Sequence, residues 1–395
     1  MTGLVLPTRE GALRAWTPSG APVRATSPSR TAPSRTAYAA AHVTVDPLHP
    51  ADPAESVALD WDTTMAFRRH LWASGLGVAE AMDTAQRGMG LDWKTTTELI
   101  RRTGEEARAV GGSWVAGVGT DQLPDLPGAS SPGTNRTVDE IVDAWREQLA
   151  LVTDAGAVPV VMASRALAGA AARPEEYRAA YSALLSQADG PVLLHWLGEQ
   201  FDPALAGYWG HQEIRQAAAE LADLCAEHSS VVAGVKVSVL DADVEIEFRR
   251  ALPPGVVCYT GDDFNYPALI AGDQTGHSEA LLGIFDPIAA VAGAALARLD
   301  EGDRDGFHAL LDPTVALSRE IFRRPTRFYK VGVVFLAYLA GHQDHFRMVG
   351  GLESARSITH LAEVLRLADA AGVLPDPDLA VARMRPLLAA AGVPQ

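Results

Sequence analysis

The sequence predicts a (β/α)8 barrel with an N-terminal arm and a C-terminal helical extension, and three observations carry that expectation. Eight short apolar runs recur along the chain, at residues 39–45, 77–82, 113–118, 157–162, 191–197, 231–240, 255–259 and 275–282. Amphipathic stretches such as 95–110, 138–153, 175–188 and 212–227 separate them, so strand-like and helix-like periods alternate. Crossovers of that length indicate parallel pairing and right-handed βα units. The alternating span, residues 37–300, is close to the ~250 residues of a closed eightfold barrel. Finally, no GxGxxG or GxxxxGK[ST] loop follows any run, as an open nucleotide-binding sheet would require. Gly111-Gly112 and Gly350-Gly351 are isolated pairs and read as turns.

Residues 1–36 read as an arm. Two short apolar segments, 4–7 and 12–17, flank Glu10-Gly11 and suggest a small hairpin, and a Ser/Pro/Thr/Arg-rich stretch over 18–35 reads as a linker. Within the barrel, Asp139-Glu140 and Pro174-Glu175-Glu176 put acids in the first turns of helices, where the helix dipole favours them. After residue 300 the strand pattern stops. Residues 305–323, 328–340, 352–371 and 378–391 read as helices alone, an extension over 301–395 expected to pack on the barrel or on another subunit.

Composition narrows the function. The 395 residues are 48% hydrophobic and 21% charged, enough apolar material for a large core. A net charge of −16 argues against nucleic acid or an anionic membrane as partner, since either needs clustered Lys and Arg. Two cysteines, Cys225 and Cys258, make no disulfide framework or metal spacing. The N-terminal residues lack a signal-peptide apolar core, and the longest strongly apolar stretch, 331–340, falls short of the roughly 20 residues of a spanning helix. A reduced, cytoplasmic protein is expected, with no cofactor and no metal.

The basic residues hold the sharpest signal. Only three of the 33 are lysines: Lys94, Lys236 and Lys330. Arg stays charged, whereas a buried Lys can lose its proton and become a nucleophilic amine. In the run 231–240, alternation puts Ala233, Val235, Val237 and Val239 on one face and Gly234, Lys236 and Ser238 on the other. Lys236 should then point into the barrel among small residues, where desolvation favours the free amine that Schiff-base chemistry requires. The competing reading is a structural lysine paired with a buried carboxylate. Lys330 opens an apolar helix beyond the barrel and reads as structural, and Lys94 reads as solvated.

Active groups of such barrels lie at the C-terminal strand ends. His195 closes an apolar run one strand before Lys236 and could shuttle protons at neutral pH. His42, Asp83, Thr84, Arg87, Tyr259, Asp262 and His277 are candidate substrate contacts; Asp262-Asp263 could equally cap the helix that begins near Phe264.

Gly234-Val235-Lys236 resembles the Gly-Ile-Lys segment of the dihydrodipicolinate synthase and N-acetylneuraminate lyase family. Val115-Ala116-Gly117-Val118-Gly119, Thr260-Gly261-Asp262-Asp263 and the stretch 271–287 resemble, in order, further segments of that family. The resemblance implies a Schiff-base class I aldolase on a (β/α)8 barrel with a helical extension, Lys236 being the imine-forming residue. Two departures matter. Asp83-Thr84-Ala85-Gln86-Arg87 stands where the family's Gly-Thr-Thr-Gly-Glu loop holds the substrate carboxylate, and His195 stands where its catalytic Tyr is found.

The expected function is a lyase, an aldolase or dehydratase, acting on a 2-oxo acid or keto-sugar derivative in carbohydrate catabolism. A homo-oligomer is expected and a small carbonyl compound is the expected partner. One alternative is a divalent-metal sugar isomerase, epimerase or class II-type aldolase using His42, Asp83, His195, His277 and Glu279, although no HxH or HExxH spacing supports it. Another is a non-catalytic sugar-binding barrel.

Overall fold

The computed structural model describes residues 3–23, 33–53, 55–123 and 136–395. Part of the expected linker, residues 24–32, lies outside the described residues. An antiparallel hairpin, β1 (Leu4–Pro7) and β2 (Leu13–Trp16), comes first. Eight parallel strands follow: β3 (Ala37–Ala40), β4 (Gly77–Glu80), β5 (Trp114–Val118), β6 (Val158–Val161), β7 (Val192–Leu197), β8 (Val232–Ser238), β9 (Val257–Thr260) and β10 (Glu279–Leu282). They pair in sequence order, and β10 pairs with both β9 and β3, so the sheet closes into the expected (β/α)8 barrel.

The lumen and the outer wall separate cleanly. Ala40, Ala79, Val115, Val160, Leu193, Tyr259 and Leu281 pack together inside the barrel. Their neighbours Ala39, Val78, Ala116, Val161, Leu194, Val235, Val237 and Leu282 belong to the larger core shared with the helices. On β8 the alternation is as expected from Gly234 onward, but the register slips once. Val192 pairs with Val232 and Leu193 with Gly234, so Ala233 is an extra residue in a bulge and packs toward the lumen. Gly234 is required there because a Cβ would stand 2.8 Å from the Tyr259 ring.

A buried ion pair fixes the top of β4. Arg68, on the helix Trp61–Ala73, donates to Glu80 through Nε at 2.8 Å and Nη2 at 2.9 Å. Thr103, on the helix Trp93–Val110, donates to the same carboxylate at 2.6 Å. Both ionic side chains are completely buried, so the fork and the hydroxyl must satisfy them.

Beyond the last barrel helix, Ala289–Asp300, the chain is helical, as expected. The helix expected over 305–323 is two, Arg304–Leu311 and Thr314–Ile321, interrupted at Asp312-Pro313 because proline cannot continue the hydrogen-bond ladder. The helix Tyr329–Leu339 is buried along its whole length. The arm is tied to this extension: the Ser19 and Gly20 amides donate to Asp369 at 2.9 and 3.1 Å, and Arg9 pairs with Glu320. No helix among the described residues is long and apolar enough to cross a membrane.

Replacing Arg68 with Met strands Glu80 as a buried, unpaired charge. The expected cost is about 3–5 kcal/mol, read by urea unfolding, and a loss below ~1 kcal/mol would contradict the role given to this pair.

Candidate active site

Lys236 lies near the C-terminal end of β8, buried inside the barrel and in register with His195 on β7 and Tyr259 on β9. Room for its side chain comes from Gly261, where a Cβ would stand 2.9 Å from Lys236 Cε and would also strike Ser238 Oγ. Burial lowers the proton affinity of the amine, against the attraction of Asp83 and Asp263. Burial acts the opposite way on Asp263, pushing its carboxyl up despite a hydrogen bond of 2.9 Å from the Ile284 amide. The pair therefore lies closer to a neutral amine and a carboxylic acid than either group would in water.

His195 stands beside the lysine. Its Nε2 is 3.2 Å from Ser238 Oγ, while its buried Nδ1 has no partner among the described residues. Burial first, and the Lys236 charge second, hold the imidazole well below its usual proton affinity. It is a neutral ring at physiological pH, with one nitrogen uncommitted.

The extension closes over this end of the barrel. Tyr329 is buried at the start of its helix, with its hydroxyl 2.8 Å from Thr84 Oγ1. Burial raises its proton affinity, and Asp83, Asp263 and Asp286 add to the effect. Its ring stacks on Phe322 with centroids 4.4 Å apart, and Phe201 meets it edge-on. Gln86 clamps the extension from the β4 loop: it donates to the Val349 carbonyl at 3.0 Å and accepts from the Val349 amide at 3.2 Å.

The remaining candidates divide. Asp83 and Thr84, in the turn Asp83–Ala85 after β4, belong to the site through Lys236 and Tyr329. His42 is buried at the end of β3, where its Nδ1 meets Asp286 at 2.8 Å and its amide donates to the same carboxylate. Asp286 also acts on Tyr329, so this pair borders the site. Asp262 does not cap a helix, because the helix begins only at Tyr266 with Asn265 before it; it closes the preceding turn, accepting from the Phe264 and Asn265 amides at 2.8 and 3.1 Å, and Asp263 is the carboxylate that acts on Lys236. Arg87 is buried and committed: Asp121 takes Nε and Nη2, the Gly117 carbonyl takes Nη1 at 2.8 Å, and Gln148 takes Nη2 at 2.7 Å.

Tyr259 adjoins Lys236 in register, whereas His277 lies outside the strands. Tyr259 fills the lumen near Tyr38, ring centroids 6.1 Å apart, and pairs in register with Glu279 at the start of β10. The strand expected over 275–282 is shorter: Asp273 and Gly276 close a turn, with φ of +146° at Gly276, so β10 begins only at Glu279. His277 therefore precedes its strand, at the opposite rim from Lys236, with its Nε2 3.5 Å from Glu279. Among the described residues, no three His, Cys, Asp or Glu side chains converge to hold a metal ion.

Asp263, a strand-end acid beside Asp262, is legible as a weaker candidate; sequence reasoning does not reach Tyr329 or Asp286. Tyr329 carries little signal, because only tertiary packing brings a residue of the extension back to β4.

A cavity of about 370 Å³ opens at the strand ends beside this cluster, lined by Asp83, Arg87, Asp121, Arg165, Leu197 and Asp202 among others. Lys236 is not in its wall; Asp83 links the two, lining the cavity and acting on the lysine.

A closed barrel with a buried lysine at its mouth and a helical roof defines the class of molecule. The sequence model of the family described as "Protein of unknown function (DUF993)" matches residues 4–393, and the chain belongs to that family. No curated protein matches the sequence. Among solved structures, the dihydrodipicolinate synthase of Thermotoga maritima aligns with a TM-score of 0.62 at 14% identity, over 86% of this chain and 99% of that one. Those of Aquifex aeolicus (TM-score 0.60, 14% identity, 87% and 100% covered) and Bacteroides thetaiotaomicron (0.60, 15%, 85% and 99%) are similar to it to the same degree. The resemblance read from the sequence holds at the level of the fold.

A second amine gives a pH test. Burial lowers Lys330 to about 8. The unfolded chain holds that proton up to a pKa of about 10.4, so between these values it binds more protons and stability rises with pH. Lys330→Met should remove up to ~3 kcal/mol of that rise, measured as the difference between urea unfolding at the two ends of the window. An unchanged slope would mean that Lys330 titrates normally.

Proposed function

We propose that the chain is a Schiff-base-forming lyase, an aldolase or dehydratase, acting on a 2-oxo acid or keto-sugar derivative at Lys236. The observation that carries this reading is the buried amine itself, held toward its neutral form in a lumen that glycines keep open around it. A neutral Nζ attacks the substrate carbonyl, and the carbinolamine loses water to give a protonated imine. That imine withdraws electrons from the neighbouring carbon, allowing C–C cleavage or loss of a hydroxyl group. Protons must move in each step. His195 can take one on its uncommitted Nδ1, and the Asp263 carboxyl can return one. Tyr329, bonded to Thr84, is a third proton carrier at the roof.

The fold it shares with dihydrodipicolinate synthases supports the lyase reading. The metal-dependent alternative finds less support, because its five candidate ligands divide between the two rims of the barrel. A homo-oligomeric, cytoplasmic enzyme with no cofactor completes the proposal.

Borohydride added with a true carbonyl substrate should leave a mass adduct on Lys236 alone. Lys236→Arg should abolish it, since a guanidinium that keeps its proton cannot attack a carbonyl. An adduct on Lys94 or Lys330 instead would end this assignment. With the compound that traps best, His195→Phe and Tyr329→Phe should each keep imine trapping but lower turnover by roughly 10²–10⁴-fold. Near-normal turnover would return that residue to a structural role.

A further inference from the structure

We propose that the cavity beside Asp83 is a subsite for the far, anionic end of a hydroxylated oxo substrate, with Arg165 as its anchor. The inference rests on the imine reading above only for where the near end of the substrate lies. If the carbonyl is at Lys236, Asp83, which lines the cavity and acts on the lysine, marks the side toward which the remainder of the molecule would extend. A volume of about 370 Å³ is within the range of small-molecule sites, and a three-carbon oxo acid would leave it empty.

Three arginines line the cavity; Arg136 lies 4.0 Å from Glu140 with its side chain mostly buried, and the other two differ in what they have left to offer. Arg87 spends its donors on Asp121, Gln148 and two backbone carbonyls, so it is wall rather than ligand. Arg165 is held by one edge: its Nε pairs with Asp202, and its Nη1 is 3.5 Å from the Gly88 carbonyl. Among the described residues its Nη2 makes no hydrogen bond, and the side chain is 39% exposed. A guanidinium oriented by one carboxylate with its other edge open is suited to a carboxylate or phosphate. Lys330 lies near this end but is not in the cavity wall, and its Nζ donates to the Arg327 carbonyl at 3.2 Å.

Asp83 sets the polarity of the substrate. No hydrogen bond engages its carboxylate among the described residues, so it can accept hydroxyls near the carbonyl, and it repels an anion placed there. The acidic group therefore belongs at the far end, toward Arg165, rather than next to the carbonyl.

Carbonyl-free probes test the subsite independently of imine formation. Titration calorimetry of the full chain with sorbitol, gluconate and sorbitol 6-phosphate should show at least one anion binding about 10–100-fold more tightly than sorbitol. The comparison of gluconate with sorbitol 6-phosphate decides between carboxylate and phosphate. Arg165→Gln should erase the preference, and Lys236→Met should retain it. Phenylglyoxal modification of Arg165 in the wild-type chain, read by peptide mass, should be slowed by the preferred anion and not by sorbitol; this arm needs no variant to fold. Equal binding of all three probes, no binding of either anion, a preference that survives Arg165→Gln, or no protection of Arg165 would each overturn the subsite. Failure of borohydride to mark Lys236 would overturn the imine reading and leave these binding results standing.

Discussion

An ammonium group inside a closed, apolar barrel is the constraint on which the rest of the site depends. Burial leaves Lys236 poorly solvated there, and the carboxylates that act on it, Asp83 and Asp263, do not restore what burial removes. The lysine is tolerated because the charged form is disfavoured rather than because it is paired, which separates it from the buried Arg68–Glu80 fork on the far side of β4. The same desolvation acts on His195 and Asp263 and moves each toward its neutral form. Three groups that would be charged or variably charged in water are thus gathered near the strand ends with their charged forms disfavoured.

The roof is as much a part of the site as the strands. Tyr329 reaches Thr84 because the helix Tyr329–Leu339 is buried along its length and its first residue stacks on Phe322. The segment that follows that helix is held by the Gln86 clamp on Val349, and the N-terminal arm fastens the extension through Asp369 and Glu320. The arm is tied to the extension and the extension to the strand ends, so changes in the extension should reach the chemistry.

Much of this was legible in the chain, and the limits have physical causes. Period-two alternation located the lumen face of β8 and with it Lys236, because a strand offers only two faces. Asp139 and Glu140 stand in the first turn of the helix Val138–Ala155, as expected, and Glu140 also closes a capping box with Thr137 that was not read from the chain. Alternation fails where the backbone bends: the bulge at Ala233 and the turn before β10 moved residues that periodicity alone could not place. The turn removed His277 from the site. Asp262 and Asp263 are adjacent in sequence, yet local hydrogen bonds to Phe264 and Asn265 take the first and leave the second facing the lysine. Arg87 and Arg165 are alike in sequence, and only their partners distinguish a wall residue from an open one. Tyr329 depends on contacts between segments some 245 positions apart, which no local pattern encodes.

The central claim is that Lys236 is a desolvated amine, and the scarcity of lysine makes it directly measurable. With lysine labelled at Cε with ¹³C, the chain gives three side-chain resonances, assignable by Lys→Arg substitution one position at a time. Following them across pH should show the Lys236 signal titrating below the ordinary lysine value near 10.4. A Lys236 signal that titrates at that ordinary value would describe a solvated or fully paired ammonium, and would contradict the account.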